Sequence, residues 1–370
     1  MIDRDELAAW LRLVETPGLG RESARRLLSE FGSPEAAIGA SSRARRAFVE
    51  APAASALASE PPGFAALLAS TSAWLDDAGS EGRDVIVLGD PRYPAALLQT
   101  ADPPLLLYAK GRFALLNAAS IAIVGSRNPT AQGLENARAF AAHLSRAGFA
   151  IVSGLALGID GAAHEAALEG GGGTIAVVGT GLDRVYPARH RALAHRIAEG
   201  GLIVSEFSIG MPALPPNFPI RNRIIAGLAR GTLVVEAAVQ SGSLITARLA
   251  AEMGRDVFVI PGSIHSPQAR GCHALIKEGA KLVDAAVDIL EEYAPVRAAR
   301  RTPDMADKDV GAAREDPLLT ALGFDPIGLD ALVARTGMSA GELAARLLDL
   351  ELAGRVARRP GQVFQRVERA

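Results

Sequence analysis

The central part of this chain predicts an α/β fold with a parallel sheet covered on both faces, and three observations carry that prediction. Short apolar, β-branched runs such as Ile121–Val124 and Leu233–Val235 read as buried strands. They alternate with segments whose apolar residues recur at helical spacing, as Leu134, Ala137, Ala141 and Leu144 do. Turns containing glycine and serine end the strands. Continuous apolar strands alternating with helices are the mark of a parallel sheet buried from both sides. At 370 residues the chain exceeds one ordinary core, so two or three domains are expected.

The elements follow in order. Residues 1–80 are rich in alanine and leucine at helical spacing. Within them, Thr16-Pro17-Gly18-Leu19-Gly20 before Ala24–Leu28 reads either as a helix-hairpin-helix turn, whose N–H groups hold phosphate, or as a plain connecting loop. Strand Ile121–Val124 closes with Gly125-Ser126-Arg127, and its helix runs on to Gly148. Phe149–Val152 is the next strand; it ends in Ser153-Gly154 and leads to a helix over Asp160–Leu168, stopped by Gly170–Gly173. Further strands fit Ile175–Val178, Leu202–Val204, Leu233–Val235 and Val257–Ile260, with helices near Ala192–Glu199, Ile224–Leu228 and Leu244–Met253. Residues 298–316 combine charge, proline and alanine without apolar periodicity and read as a mobile linker. Beyond it, helices at Pro317–Leu322, Leu329–Thr336 and Ser339–Leu352 precede Val356–Arg359, a Pro360-Gly361 turn and Val363–Val367. That is the order of a winged helix, with Ser339 and Glu342 as a capping box. The domains expected are 1–80, 81–296, a linker over 297–316, and 317–370.

Composition excludes several classes. A hydrophobic share of 49% with 22% charged residues is globular. No apolar run is long enough to span a bilayer, and Met1–Asp5 lacks a basic region followed by an apolar one, so a cytoplasmic protein off the membrane is expected. A single cysteine, Cys272, rules out an internal disulfide framework and a multi-cysteine zinc site. With a net charge of −2, the chain cannot coat a polyanion by bulk charge, so a local cluster must hold it. Neither a Gly-x-Gly-x-x-Gly after the first strand nor a Walker lysine occurs, so the usual dinucleotide and triphosphate cradles are missing. His190 and His195 lack ligand-spaced carboxylates or thiols, and neither a metal nor a cofactor is expected.

The strand ends hold the candidate site. In a parallel sheet, ligands sit beyond the carboxyl ends of the strands. Here those ends read Gly125-Ser126-Arg127, Ser153-Gly154, Gly179-Thr180-Gly181, Ser205-Glu206-Phe207 and Gln240-Ser241-Gly242-Ser243. Small residues admit a close ligand, and hydroxyl and N–H groups supply donors. The Ser241–Ser243 turn opens a helix, whose unpaired N–H groups suit a phosphate; the bland alternative is a serine cap. Arg221 and Arg223 offer planar forks for phosphate oxygens, or are plain surface charges. Phe207 and Phe218 are stacking faces or core residues. Asp160 and His164 are a catalytic pair, or a helix cap with a satisfied helical histidine.

These residues form an ordered series. It runs Asp90-Pro91-Arg92-Tyr93-Pro94, Ile123-Val124-Gly125-Ser126-Arg127, Ser153-Gly154 through Asp160, Tyr186-Pro187, Ser205-Glu206-Phe207, Asn217 through Ile225, Glu236-Ala237, Ser241 through Ala247, and Pro261-Gly262. In that order it resembles the bacterial DNA processing protein A (DprA/Smf) family, strongly over residues 85–295. The resemblance implies an extended Rossmann-like domain between an N-terminal helical domain of the SAM or helix-hairpin-helix type and a C-terminal winged helix. It further implies a homodimer that binds single-stranded DNA at the strand ends and delivers the RecA recombinase during natural transformation, without catalysis.

Family roles carry over residue by residue. Arg127 matches the DNA-contacting arginine, and the basic position after Tyr186-Pro187 falls on Arg189 or Arg191, because Ala188 stands where the family commonly has a cation. The other candidate DNA or phosphate contacts are Gly125, Ser126, Gly154, Phe207, Asn217, Phe218, Arg221, Asn222, Arg223, Ser241, Gly242, Ser243 and Thr246. Two other readings stand beside this one. A nucleotide-processing enzyme would use His164 or Glu236, and a transcriptional regulator would read duplex DNA through the C-terminal domain.

Overall fold

A computed structural model describes residues 2–77, 82–293 and 316–367. The expected linker over 297–316 lies almost wholly outside the described residues.

Nine strands form the main sheet: β1 Arg83–Val87, β2 Leu106–Gly111, β3 Ser120–Val124, β4 Ala150–Ser153, β5 Thr174–Val177, β6 Leu202–Ser205, β7 Gly231–Val234, β8 Asp256–Val259 and β9 Lys281–Leu282. Their spatial order is β1-β2-β6-β5-β4-β3-β7-β8-β9. From β6 to β9 all neighbours are parallel, whereas β1 with β2 and β2 with β6 are antiparallel. The six strands expected from sequence are present. The antiparallel pair is an addition that makes the sheet mixed. Its signal was hidden because the link between β1 and β2 holds only the four-residue helix Ala95–Leu98, so no strand-helix alternation marks it.

Successive side chains of the central strands, buried throughout, alternate between two cores. Ile121 and Ile123 of β3 join one core with Ala137, Phe140, Ala141 and Leu144 of the helix Ala131–Arg146. Ala122 and Val124 face the opposite core, with Ile224, Ile225 and Leu228 of the helix Asn217–Leu228 and with Leu244 and Ala247 of the helix Ser243–Glu252. The sheet is therefore covered on both sides, as the apolar runs require. On β1 and β2 the same alternation sends Val85, Val87, Leu106 and Tyr108 into a third core with Leu7, Trp10, Leu11, Leu27 and Trp74 of the N-terminal helices. The N-terminal helices thus share their apolar centre with the sheet.

The helix Asn217–Leu228 starts earlier than its apolar stretch suggested. Pro219 disguises the start, yet proline is tolerated in a first turn because the N–H it lacks has no intrahelical partner there.

At the C-terminus, helices Pro317–Leu322, Leu329–Thr336 and Ala340–Leu352 pack against a small sheet of β10 Ile327–Gly328, β11 Val356–Arg359 and β12 Val363–Arg366. The Ser339 side chain accepts from the Glu342 N–H at 3.3 Å, which supplies the serine half of the expected box. This winged-helix domain rests on the main sheet's strand-end side. Arg359 Nη1 donates to the Pro129 carbonyl at 2.8 Å, and buried Gln365 accepts from the Ala131 N–H at 3.1 Å.

Candidate nucleic-acid interface

Strands β3, β4, β5 and β6 succeed one another to one side, while β7 begins the run to the other, so the chain reverses its direction of winding between β3 and β7. The helices that follow these two strands splay apart at such a point and leave a crevice. A cleft of about 660 Å³ opens there. Its walls come from Gly125–Asn128 after β3, from Phe218–Asn222 at the head of the helix Asn217–Leu228, and from Gln240–Thr246 after β7.

The turn after β3 is compact because Gly125 has no side chain: a Cβ there would lie 2.7 Å from Ile159 Cγ1. The Ser126 carbonyl accepts from the Ile159 N–H at 3.2 Å, and its Oγ accepts from the Asn128 N–H at 3.1 Å. So anchored, the turn presents Arg127 to solvent with its guanidinium carbon 5.9 Å from the centre of the Phe218 ring. Phe218 in turn lies 5.5 Å from the ring of Tyr186, which is 50% exposed. Cation and exposed aromatic surface are therefore contiguous.

Arg221 occupies the floor and is buried. Its Nη2 donates to the Gly154 carbonyl at 2.8 Å and its Nη1 to Asn222 Oδ1 at 3.0 Å. Burial pushes its pKa down to about 10 despite the nearby charge of Asp160, so it still carries a proton at neutral pH. Buried Asp160 accepts from the Gly154 and Ala156 N–H groups at 3.1 and 3.2 Å, and burial raises its carboxyl above the usual range, against the pull of Arg221. It ties down the loop before its helix and does not cap the helix itself.

Across the cleft, the N-cap residue of the helix Ser243–Glu252 is Gly242, which has no side chain to cap with, yet the expected unpaired N–H groups are engaged by the turn itself: those of Leu244 and Ile245 donate to the Ser241 and Gly242 carbonyls at 3.1 and 3.2 Å. Ser241 Oγ and Ser243 Oγ are 2.6 Å apart, and the Ser243 N–H reaches Ser241 Oγ at 3.3 Å. Asn222 Nδ2 donates to the Gly242 carbonyl at 3.4 Å and so links this turn to the arginine-bearing helix. The positive end of the helix dipole and two hydroxyls face the same space as Arg127.

The structure thus brings Gly125, Ser126, Arg127, Phe218, Arg221, Asn222, Ser241, Gly242, Ser243 and Thr246 to one cleft. The remaining candidates lie elsewhere. Arg223 is two residues from Arg221, which puts it on the opposite side of the helix. There it pairs with Glu206 at 2.5 Å and Asp102 at 3.2 Å. Buried Asn217 donates to the Gly179 carbonyl at 3.1 Å. Gly154 leaves room for Arg221, whose Nη1 would be 2.0 Å from a Cβ, and so serves the guanidinium. Phe207 is half-buried away from the cleft walls, and Arg189 and Arg191 are exposed beyond them.

His164 and Glu236 are already engaged. Burial holds His164 down to a pKa of about 3, and its Nδ1 lies 2.7 Å from Thr174 Oγ1. The Glu236 carboxylate accepts from the Thr130 N–H at 2.9 Å and from the Thr130 hydroxyl, at the head of the helix Ala131–Arg146. Neither lines the cleft. Among the described residues no group of three or more His, Cys, Asp or Glu is placed to hold a metal, and no helix is long and apolar enough to cross a membrane.

Sequence reading assigned no contact to Tyr186, Asn128 or Gln268, all in the cleft walls, and named Gln240 only as part of its turn. For Tyr186 the signal was present: a Tyr-Pro pair in a loop after a strand places an aromatic ring where no core awaits it.

The sequence profile described as DNA recombination-mediator protein A matches residues 84–294, and that of the DprA winged helix domain matches residues 301–362. Among curated proteins, Protein Smf of Escherichia coli is 44% identical over 288 residues, covering 75% of this chain and 76% of that protein. The DNA processing protein DprA of Streptococcus pneumoniae is 50% identical over 204 residues, covering 55% and 72%. The X-ray structure of the Streptococcus pneumoniae protein superposes with a TM-score of 0.63 at 38% identity, covering 79% of this chain and 98% of that one. A Helicobacter pylori DNA processing protein A, described for its single-stranded DNA binding mode, superposes with a TM-score of 0.52 at 30% identity, covering 57% and 95%. The profile match spans more than half of the chain, and by it this protein belongs to the DNA recombination-mediator protein A family.

Proposed function

We propose that the strand-end cleft grips single-stranded DNA and that the protein is a recombination mediator: it protects an incoming strand and loads RecA onto it during natural transformation, acting as a cytoplasmic homodimer without chemistry of its own. One observation carries the first part. Arg127 lies over Phe218, which abuts exposed Tyr186, while the hydroxyl-bearing helix start at Ser241–Ser243 faces the same cleft. A guanidinium neutralises phosphate, hydroxyls can donate to its oxygens, and a ring stacks on a base of any sequence, which together suit an unpaired strand. The Helicobacter pylori relative, described as binding single-stranded DNA, supports the reading by similarity.

The enzyme alternative has less behind it, since His164 is sealed against Thr174 and Glu236 is engaged by Thr130. A duplex reader is not favoured either: the helix Ala340–Leu352 carries Glu342, Asp349 and Glu351, which repel phosphate.

The test is anisotropy of a labelled oligo-dT with unlabelled single-stranded and duplex competitors over a salt series. Single strands are expected to compete and duplex to fail. Arg127→Ala is expected to weaken binding by about tenfold or more and to flatten the salt dependence. Equal competition by duplex sinks the proposal. For the mediator role, adding the protein to DNA coated by a single-strand-binding protein is expected to speed RecA filament assembly.

A further inference from the structure

The cleft does not end at Arg127. Arg127 and Asn128 also line a second groove of about 400 Å³, which runs between the head of the helix Ile159–Gly170 and the winged-helix domain. Arg138 and His190 flank it, and Arg359 of β11 reaches it from the C-terminal domain. The floor is made of small residues; at Gly161 a Cβ would meet His190 Cε1 at 2.7 Å. Three guanidinium groups thus face one lining carboxylate, that of Glu165, and of the three Arg138 is also paired with Glu135 at 4.0 Å. Arg359 spends one nitrogen on the Pro129 carbonyl, while its Nη2 has no acceptor among the described residues, so the fold leaves donor capacity unused.

We propose that a single strand leaving the strand-end cleft crosses Arg127 and continues through this groove, where Arg359 of the winged-helix domain holds a phosphate. The proposal rests on the reading of the cleft given above. It makes the C-terminal domain a second wall of one polynucleotide path. The chemistry fits a bare backbone: the groove offers cations and no exposed aromatic side chain, so it would track phosphates and leave the bases free.

The test compares oligo-dT of about 6 and about 16 nucleotides, sizes within the range single-strand sites occupy, on the full chain and on Arg359→Gln. Glutamine keeps a neutral N–H donor for the Pro129 carbonyl and removes the charge. The short oligonucleotide is expected to bind both proteins alike. The long one is expected to lose about fivefold to tenfold, with the slope of log affinity against log salt reduced by about 0.7, the share of one phosphate contact. Arg359→Lys, which restores a cation, is expected to recover that slope, and thermal unfolding checks that each variant is folded. An unchanged long oligonucleotide overturns the proposal, and so does a lysine variant that behaves like glutamine. Equal losses at both lengths overturn it as well, since Arg359 would then act through the Arg127 turn; a gain in affinity does so by making the domain a block. Failure of the unaltered chain to hold the short oligonucleotide is a different result, which sinks the cleft reading and the groove with it.

Discussion

Arg127 and Arg221 stand in the same cleft and do different work. Arg127 is exposed and rests on an aromatic face, so its charge is free to meet an incoming phosphate. Arg221 is buried and committed to Gly154 and Asn222, so it shapes the floor and sets the local potential. That commitment explains Gly154. A methyl group there would collide with Nη1, and a guanidinium tied to the Gly154 carbonyl and Asn222 would have to give up those bonds to swing away. Gly154→Ala is expected to cost about 1–3 kcal/mol in urea unfolding and to weaken oligonucleotide binding in parallel; unaltered stability would show that the floor yields. At this scale the sequence was partly legible. Gly125-Ser126-Arg127 announced itself by residue type, because a strand end followed by small residues and a cation has few other uses. Arg223 misled because only the phase of a helix separates it from Arg221, and Pro219 concealed where that helix begins.

Among elements, the reversal between β3 and β7 is what makes a cleft at all. The helices that follow these strands start on either side of it, and each start is built differently. The helix Ser243–Glu252 has glycine as its N-cap and its first N–H groups held by the Ser241–Gly242 turn, whereas the helix Ala131–Arg146 is capped by Thr130 Oγ1 accepting from the Gly133 N–H at 2.9 Å, with Glu236 bracing the threonine. The first turns its positive dipole end and its serines toward the cleft, and the second is closed by the protein's own carboxylate. Thr130→Ala is expected to lower stability by about 1 kcal/mol in thermal unfolding, through loss of the cap and of a donor to the half-buried Glu236 carboxylate. The six parallel strands were readable because apolar runs alternate with helical spacing. The antiparallel pair was not, since a strand partner far away in sequence, such as β6 for β2, leaves no local pattern.

Across the whole molecule, a charged seam joins the N-terminal helices to the site-bearing helix. Asp102 receives Arg21 at 2.8 Å, Arg25 at 2.7 Å and Arg223 at 3.2 Å. Burial alone would raise its carboxyl, but the hydrogen bonds and charges of these arginines hold it below the usual carboxylate range. A carboxyl lowered in the folded state contributes stability above its unfolded value, near about 3.9, and loses it as pH falls through the folded value. Both tryptophans, Trp10 and Trp74, are buried in the adjoining core and report on it. Their emission is expected to shift to the red in acid below about pH 4. Asp102→Asn is expected to lower the Tm at pH 7 and to flatten the acid limb; an acid limb identical to the parent's would remove Asp102 from the account. Domain order along the chain was legible from composition, whereas the sharing of one core between the first helices and β1–β2 was not.

That shared core bears on how the chain is made. Its helices leave the ribosome first, yet the strands carrying Val85, Val87, Leu106 and Tyr108 come later, and β6, on which those strands lean, later still. Until β6 and the chain beyond it are translated, the opposite face of those strands, with Ile86, Leu107 and Ala109, lacks the partners it is to meet, a greasy surface open to a chaperone.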